Sequence, residues 1–306
     1  MSDSAQIVLR FLLYVDLMLL FGIALFGLYS LKGQERISGG VLPFRSLLVG
    51  AAIVGGALSV IGMLLMVSAM SGESDLGELR PHMEMMVFEM DAGMAWMIRI
   101  TMLSVVALAV LCNTRASAPG LWVAAIAGAI ALASLAWSGH GAMDEGVWHF
   151  TADILHLLAA GAWLGALVAF FWMSRDNRLQ SEKHIRLLAR AVTRFESVGA
   201  LIVLVITITG VVNYLYIAGP SIDAVLPGTY GVLLLIKVAL FAGMLVLAAL
   251  NRLHWGPLLQ HSLREGQYRV AANTLRCSMK IELAAGLLIV GLVAWLGTLS
   301  PQVDEL

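Results

Sequence analysis

Long apolar stretches separated by mostly short polar connections run the whole length of the chain. A helix of about 20 apolar residues crosses the hydrocarbon core of a bilayer. On that measure the pattern predicts about eight spans, at 7–31, 42–70, 84–112, 120–138, 149–173, 192–217, 229–251 and 279–299. Only the connections 174–191 and 252–278 are long. The second and third spans exceed the required length, and tilt or protrusion past the bilayer absorbs the surplus. The fifth, WHFTADILHLLAAGAWLGALVAFFW, departs from plain hydrophobicity by carrying His149, Asp153 and His156 in its first third. Steps of four and three residues place these on one helix face, with Trp163 continuing the stripe. Ionisable groups inside a span cost at least about 2.5–3.5 kcal/mol, so they usually face a cavity, a partner or an ion path.

Composition fixes the class. Of 306 residues, 60% are hydrophobic and only 13% charged, against about a quarter charged in soluble globules. Mean hydropathy is +0.88. The expected fold is an all-α membrane protein: a single polytopic domain over 1–306, built as a bundle of about eight transmembrane helices. The opening MSDSAQIVLR leads into an apolar run too long for a signal-peptide h-region and has no small-residue cleavage site, so the first span is expected to remain as an anchor. Cys112 and Cys277 make no disulfide framework.

Charge adds orientation. One set of connections holds Lys32, Arg36, Arg45, Arg115, Arg175, Arg178, Lys183, Arg186, Arg190, Arg194 and the basic residues from Arg252 to Lys280. The opposite side holds only Arg10 and Arg80. Basic loops stay in the cytoplasm, which places both termini on the periplasmic side. The basic, amphipathic segment 179–195 reads as a cytoplasmic helix lying near the lipid headgroups.

Two groups of residues are candidates for chemistry. Counted from the outer span ends, Asp16, Arg99, His156 and Lys237 lie seven to nine residues deep, with Asp153 and Asn213 slightly shallower. Two compatible readings follow: structural ion pairs, such as Asp16 with Arg99 or Asp153 with Lys237, and a polar cavity open to the outside with Asp153 and His156 as ligands or proton carriers. The second group is a set of metal ligands on the outward side. His82 precedes a stripe of Met83, Met86, Met90, Met94 and Met97 at helical spacing; His140, Met143 and His149 lie on the next outward connection. Thioether sulfur selects Cu(I) and imidazole suits either copper state, although methionine also serves simply as adaptable packing. On the inner side Glu282 lies about a turn inside the last span, as a candidate or as an interfacial charge. No Gly-rich phosphate loop, Cys-Pro pair or CxxCH motif occurs.

Asp153-x-x-His156 followed by Trp163-Leu164-Gly165, then Arg194-Phe195, Gly210 with Asn213, Tyr230-Gly231 with Lys237, Asn251-Arg252 with Pro257, and Glu282, stand in an order that resembles the copper resistance protein D (CopD/PcoD) family. The resemblance is clearest over 140–301. Ala166 stands where the family pattern has a second glycine.

The resemblance implies a copper-homeostasis protein of the bacterial inner membrane that carries copper, as Cu+ or Cu2+, from periplasm to cytoplasm without ATP hydrolysis. It also implies a separate periplasmic copper carrier of the CopC type as partner, beside the lipid bilayer and with no nucleic acid. No enzymatic activity is expected. Two other readings stand beside it: a cytochrome b-type haem or redox protein, since intramembrane histidines can hold haem iron, and a periplasmic-side copper buffer or sensor that moves nothing.

Overall fold

A computed structural model describes residues 3–37, 39–72, 75–112, 118–138, 147–175, 182–219, 228–265 and 268–299. Every regular element among them is helical. In order they are α1 (Asp3–Ser30), α2 (Gln34–Ile37), α3 (Phe44–Ser71), α4 (Leu76–Glu89), α5 (Asp91–Cys112), α6 (Ala118–Ala133) with a 3-10 turn at Ser134–Ser138, α7 (Val147–Met173), α8 (Glu182–Ala218), α9 (Thr229–Leu250), a π-helical turn at Asn251–Trp255, α10 (Gly256–Glu265) and α11 (Tyr268–Leu296). Eight of these helices are long and apolar enough to cross a membrane.

Two of the sequence-derived readings are corrected. The predicted third span, 84–112, is two helices: Met90 is extended, with φ −117° and ψ 142°, and separates α4 from α5. Gly93 permits the sharp reversal, because a Cβ there would collide with the Met86 carbonyl and lie 2.6 Å from Val87 Cα. Asp75 starts α4 by accepting a hydrogen bond from the Gly77 amide at 2.8 Å. Of the segment 179–195, the described residues 182–195 are not a separate helix on the lipid surface but the continuous beginning of α8. Its apolar residues Ile185, Leu188 and Val192 are buried in the protein core, and Gln260 of α10 donates to Thr193 at 2.9 Å. The long connection 252–278 is largely helical, because α9 runs on through the π turn into α10 and α11 begins at Tyr268.

Polar contacts mark two opposite ends of the bundle. Arg10, near the start of α1, donates to the Gly297 carbonyl just past α11, so both ends of the described chain lie together. At the other end Arg36 donates to the Gly27, Leu28 and Leu31 carbonyls at 2.6–2.9 Å. It satisfies carbonyls that the end of α1 leaves without helical partners. Arg194 donates to the Ser30 carbonyl at 2.8 Å, and Glu35 pairs with Arg190. The groups at this second end come from the basic connections.

Helices α1 and α7 form the centre. Gly22 of α1 packs directly on Gly161 and Gly165 of α7: a Cβ at Gly22 would overlap the Gly161 carbonyl and lie 2.8 Å from Gly165 Cα. Small residues allow this close backbone approach, the usual device for helix packing in membranes. Around this seam α3, α5 and α6 pack on one side and α8 and α11 on the other, while α9 leans mainly on α11 and scarcely touches α8. Outward-facing Ile53, Leu108, Ile126, Leu201 and Leu288 are more than half exposed, an apolar surface suited to lipid.

Candidate functional site

The polar face of α7 meets α8 in a regular antiparallel ladder. His149 is fully buried and stacks flat on Tyr216, with ring centroids 5.0 Å apart and planes within 4°. One turn deeper Asn213 Nδ2 donates to Asp153 Oδ1 at 3.0 Å. One turn deeper again His156 Nδ1 lies 2.9 Å from Thr209 Oγ1. Three consecutive rungs thus join His149, Asp153 and His156 to Tyr216, Asn213 and Thr209.

The last rung fixes the state of the imidazole. Thr209 Oγ1 has one proton, and the Val205 carbonyl lies 2.6 Å away to receive it. The hydroxyl oxygen therefore accepts from His156, so Nδ1 carries the hydrogen and Nε2 keeps its lone pair. Orienting one ring nitrogen through a hydrogen bond so that the other can ligate is the usual arrangement behind a metal-binding histidine. The Ile206 backbone also lies within hydrogen-bonding reach of the ring.

His156 lines a cavity of about 480 Å³ bounded by α7, α8, α9 and α11. Trp163, Tyr214, Lys237, Phe241 and Met244 share the wall. His156 and Lys237 are its only ionisable polar groups apart from the Tyr214 phenol, and Met244 supplies its one sulfur. Val211 of α8 and Leu235 and Val238 of α9 line the cavity and are also more than half exposed, so it opens sideways between those two helices.

The deep polar residues sit in different contacts. Lys237 lies near enough to sense the charges of Asp153 and His156. Among the described residues Asp16 makes no ion pair with Arg99. Asp16 rests on Gly55 of α3, with Oδ2 lacking a partner among the described residues. Arg99 donates to Ser134 Oγ at 2.9 Å and holds the 3-10 turn at the end of α6. Tyr14 of α1 stands within electrostatic reach of both Arg99 and Asp153.

The outward ligands are dispersed. The break at Met90 divides the methionine stripe, with Met83 and Met86 on α4 and Met94 and Met97 on α5. Met86 is buried in a small apolar cluster with Met63, Val67 and Leu79, while Met83 and Met90 pack against that cluster. Met94 and His82 are exposed. His140 and Met143 lie outside the described residues. No three histidine, cysteine or carboxylate side chains gather as a metal site among the described residues. On the opposite side Glu282 is buried and accepts a hydrogen bond from Asn251 at the π turn.

Sequence reasoning missed Thr209 and Tyr216, although one signal pointed to them. With Asn213 they repeat on α8 at steps of four and three residues, the mirror of 149, 153 and 156 on α7. Met244 carried no such signal, since a lone methionine in an apolar span reads as packing.

Comparison with known proteins now bears on this geometry. Two family profiles match the chain: "Copper resistance protein D-like, N-terminal domain" over residues 1–150 and "Copper resistance protein D" over residues 189–296. The chain is 50% identical over 307 residues to copper resistance protein D of Pseudomonas syringae pv. tomato, covering 99% of both proteins. It is 29% identical over 299 residues to inner membrane protein YebZ of Escherichia coli, covering 96% of this chain and 98% of the relative. It is also 29% identical over 248 residues to copper transport protein CutJ of Bacillus subtilis, covering 79% of this chain and 45% of that protein. No solved structure matches. The chain belongs to the copper resistance protein D family and is a multi-pass copper-homeostasis protein of the bacterial inner membrane.

Proposed function

We propose that the protein moves copper ions across the inner membrane from periplasm to cytoplasm without ATP hydrolysis. The observation that carries the reading is His156. Its tautomer is held by Thr209, and its ring lines a membrane-embedded cavity beneath the His149 and Asp153 rungs. A protein that only held copper at the periplasmic surface has no use for a ligand roughly 13 Å along α7. The name of the Bacillus relative, a copper transport protein, agrees with movement rather than storage.

In this reading all eight long helices span the bilayer and both termini are periplasmic, as the basic connections require. A periplasmic carrier of the CopC type delivers copper to outward ligands among His82, His140, Met143 and the exposed methionines. The ion then passes His149 to the Asp153 and His156 rungs, and Asp153 exchanges a proton as it passes. Met244 is the soft ligand nearest the inner half of the cavity, and Glu282 with Asn251 marks the inner end of the route.

The test is copper accumulation in cells lacking other copper importers, comparing wild type, empty vector and His156→Ala at matched membrane levels. Accumulation that depends on the wild-type protein and falls to vector level in the variant supports the reading. Equal accumulation in wild type and variant removes His156 from the route.

A further inference from the structure

The cavity has features that copper passage does not use. Its walls are almost wholly apolar and partly aromatic, and the exposed Val211, Leu235 and Val238 in its lining open it sideways between α8 and α9. From Gly231 to Met244 on α9 it extends roughly 20 Å along the membrane normal at 1.5 Å per residue. Lys237 also lines it and supplies a hydrogen-bond donor that a copper ligand set does not need. These properties describe a pocket for an elongated apolar molecule whose polar head is matched to one imidazole and one ammonium.

The hydrogen-bond inventory selects the head group. His156 Nε2 can only accept, because Nδ1 holds the proton. Lys237 can only donate. The head must therefore give a proton to one group and offer an oxygen lone pair to the other. A phenolic hydroxyl does both, whereas an ionised carboxylate or phosphodiester has no proton to give. Phospholipid heads also belong at the interface, while His156 and Lys237 lie nine and eight residues into their helices, roughly 12–13 Å deep. Trp163, Tyr214 and Phe241 provide faces for an aromatic ring. At about 480 Å³ the cavity is within the usual 300–1,000 Å³ of small-molecule sites. A long tail leaves through the gap between α8 and α9 into the bilayer.

We infer that the cavity between α7, α8, α9 and α11 binds a membrane quinol, its hydroxyl donating to His156 Nε2 and accepting from Lys237, and its isoprenoid tail leaving between α8 and α9. Nε2 has a single lone pair, so quinol and copper exclude one another at His156.

The test uses the purified full chain in mild detergent without copper, so its outcome is independent of the transport assay. A decyl-tailed p-benzoquinol, kept reduced, is titrated against tryptophan fluorescence, with Trp163→Phe identifying the quenched residue. Organic extracts of the purified protein are assayed for quinone and phospholipid. Saturable quenching that vanishes in Trp163→Phe is expected, together with quinone recovered in the extract. The oxidised quinone cannot donate to Nε2 and should bind about tenfold more weakly than the quinol. His156→Ala removes that preference, and Lys237→Met weakens both forms. Absence of saturable quenching, equal binding of both forms by the wild type, or an extract with phospholipid alone overturns the inference. A Soret band in the purified protein also overturns it, by assigning the cavity to haem.

Discussion

Helix α7 has two sides that are built differently. Toward α1 it presents Gly161 and Gly165, and Gly22 presses into them until backbone meets backbone. Toward α8 and α9 it presents His149, Asp153 and His156, and the contact is a ladder of polar side chains beside a cavity. The first side leaves no room for any atom; the second leaves room beside an imidazole. One helix thus anchors the bundle on one face and offers chemistry on the other, and rigidity on the first keeps the second in register.

Substitutions that add volume separate the two sides most strongly. At Gly165 a Cβ would strike Gly22 backbone atoms and lie 2.7 Å from the Ile23 amide nitrogen, with no flexible side chain to yield. Gly165→Leu should therefore exceed the about 1–3 kcal/mol usual for overpacking and remove folded protein from the membrane fraction. At Gly210, beside the cavity, the nearest atom to a new Cβ is His156 Cε1 at 3.6 Å, an ordinary contact. Gly210→Ala should leave stability equal or raise it by up to about 1 kcal/mol, as expected for glycine inside a helix. Thermal unfolding in detergent measures both.

A smaller effect tests the ladder. Thr209→Val keeps the shape of the side chain but removes the acceptor that fixes the His156 tautomer. Copper accumulation should fall about tenfold, at the lower end of the 10–100-fold loss typical of such supporting partners, with normal membrane levels. Unchanged accumulation would show that the tautomer is not held for copper. Smaller again, Asn213→Ala removes one rung and should cost about 0.6–1.7 kcal/mol, the range for interhelical hydrogen bonds in membranes; the same unfolding assay reports it.

The smallest expected effect is remote from α7. Burial pushes the Glu35 carboxyl up, but the hydrogen bonds from Arg190 and the Lys32 amide, with the charges of Arg190 and Arg194, outweigh it and hold Glu35 below its ordinary value. A carboxyl lowered in the folded state stabilises above its unfolded value of about 4.3 and loses that contribution as pH falls through the folded value. Both partners keep substantial exposure, so Glu35→Gln should cost no more than about 0.5 kcal/mol at neutral pH. The difference from wild type should fade in acid, which melting curves at several pH values would reveal.

The spans were legible because apolar run length is a local property, and each of the eight runs corresponds to a long helix. The face shared by His149, Asp153 and His156 was legible for the same reason, through helical spacing. Its partner was not, because spacing relates residues within one helix and says nothing about which helix lies opposite. The apolar side of 182–195 was ambiguous in a similar way: Ile185, Leu188 and Val192 suit lipid and protein equally, and packing decided for protein. The methionine stripe misled because helical spacing persists on paper through Met90, where the backbone turns extended. Depth counting grouped Asp16 and Arg99 with His156, but equal depth does not bring side chains together across a bundle. Ala166, in place of the family's second glycine, is fully buried and leaves the Gly22–Gly165 contact intact.

The central claim is that the polar side of α7, and not the deep charge between α1 and α3, carries copper. Cu(I) influx into proteoliposomes of purified protein, measured for wild type, His156→Ala and Asp16→Asn at equal reconstitution, tests it most directly. The account predicts flux in wild type and Asp16→Asn and none in His156→Ala. Flux retained in His156→Ala, or lost in Asp16→Asn alone, would contradict it.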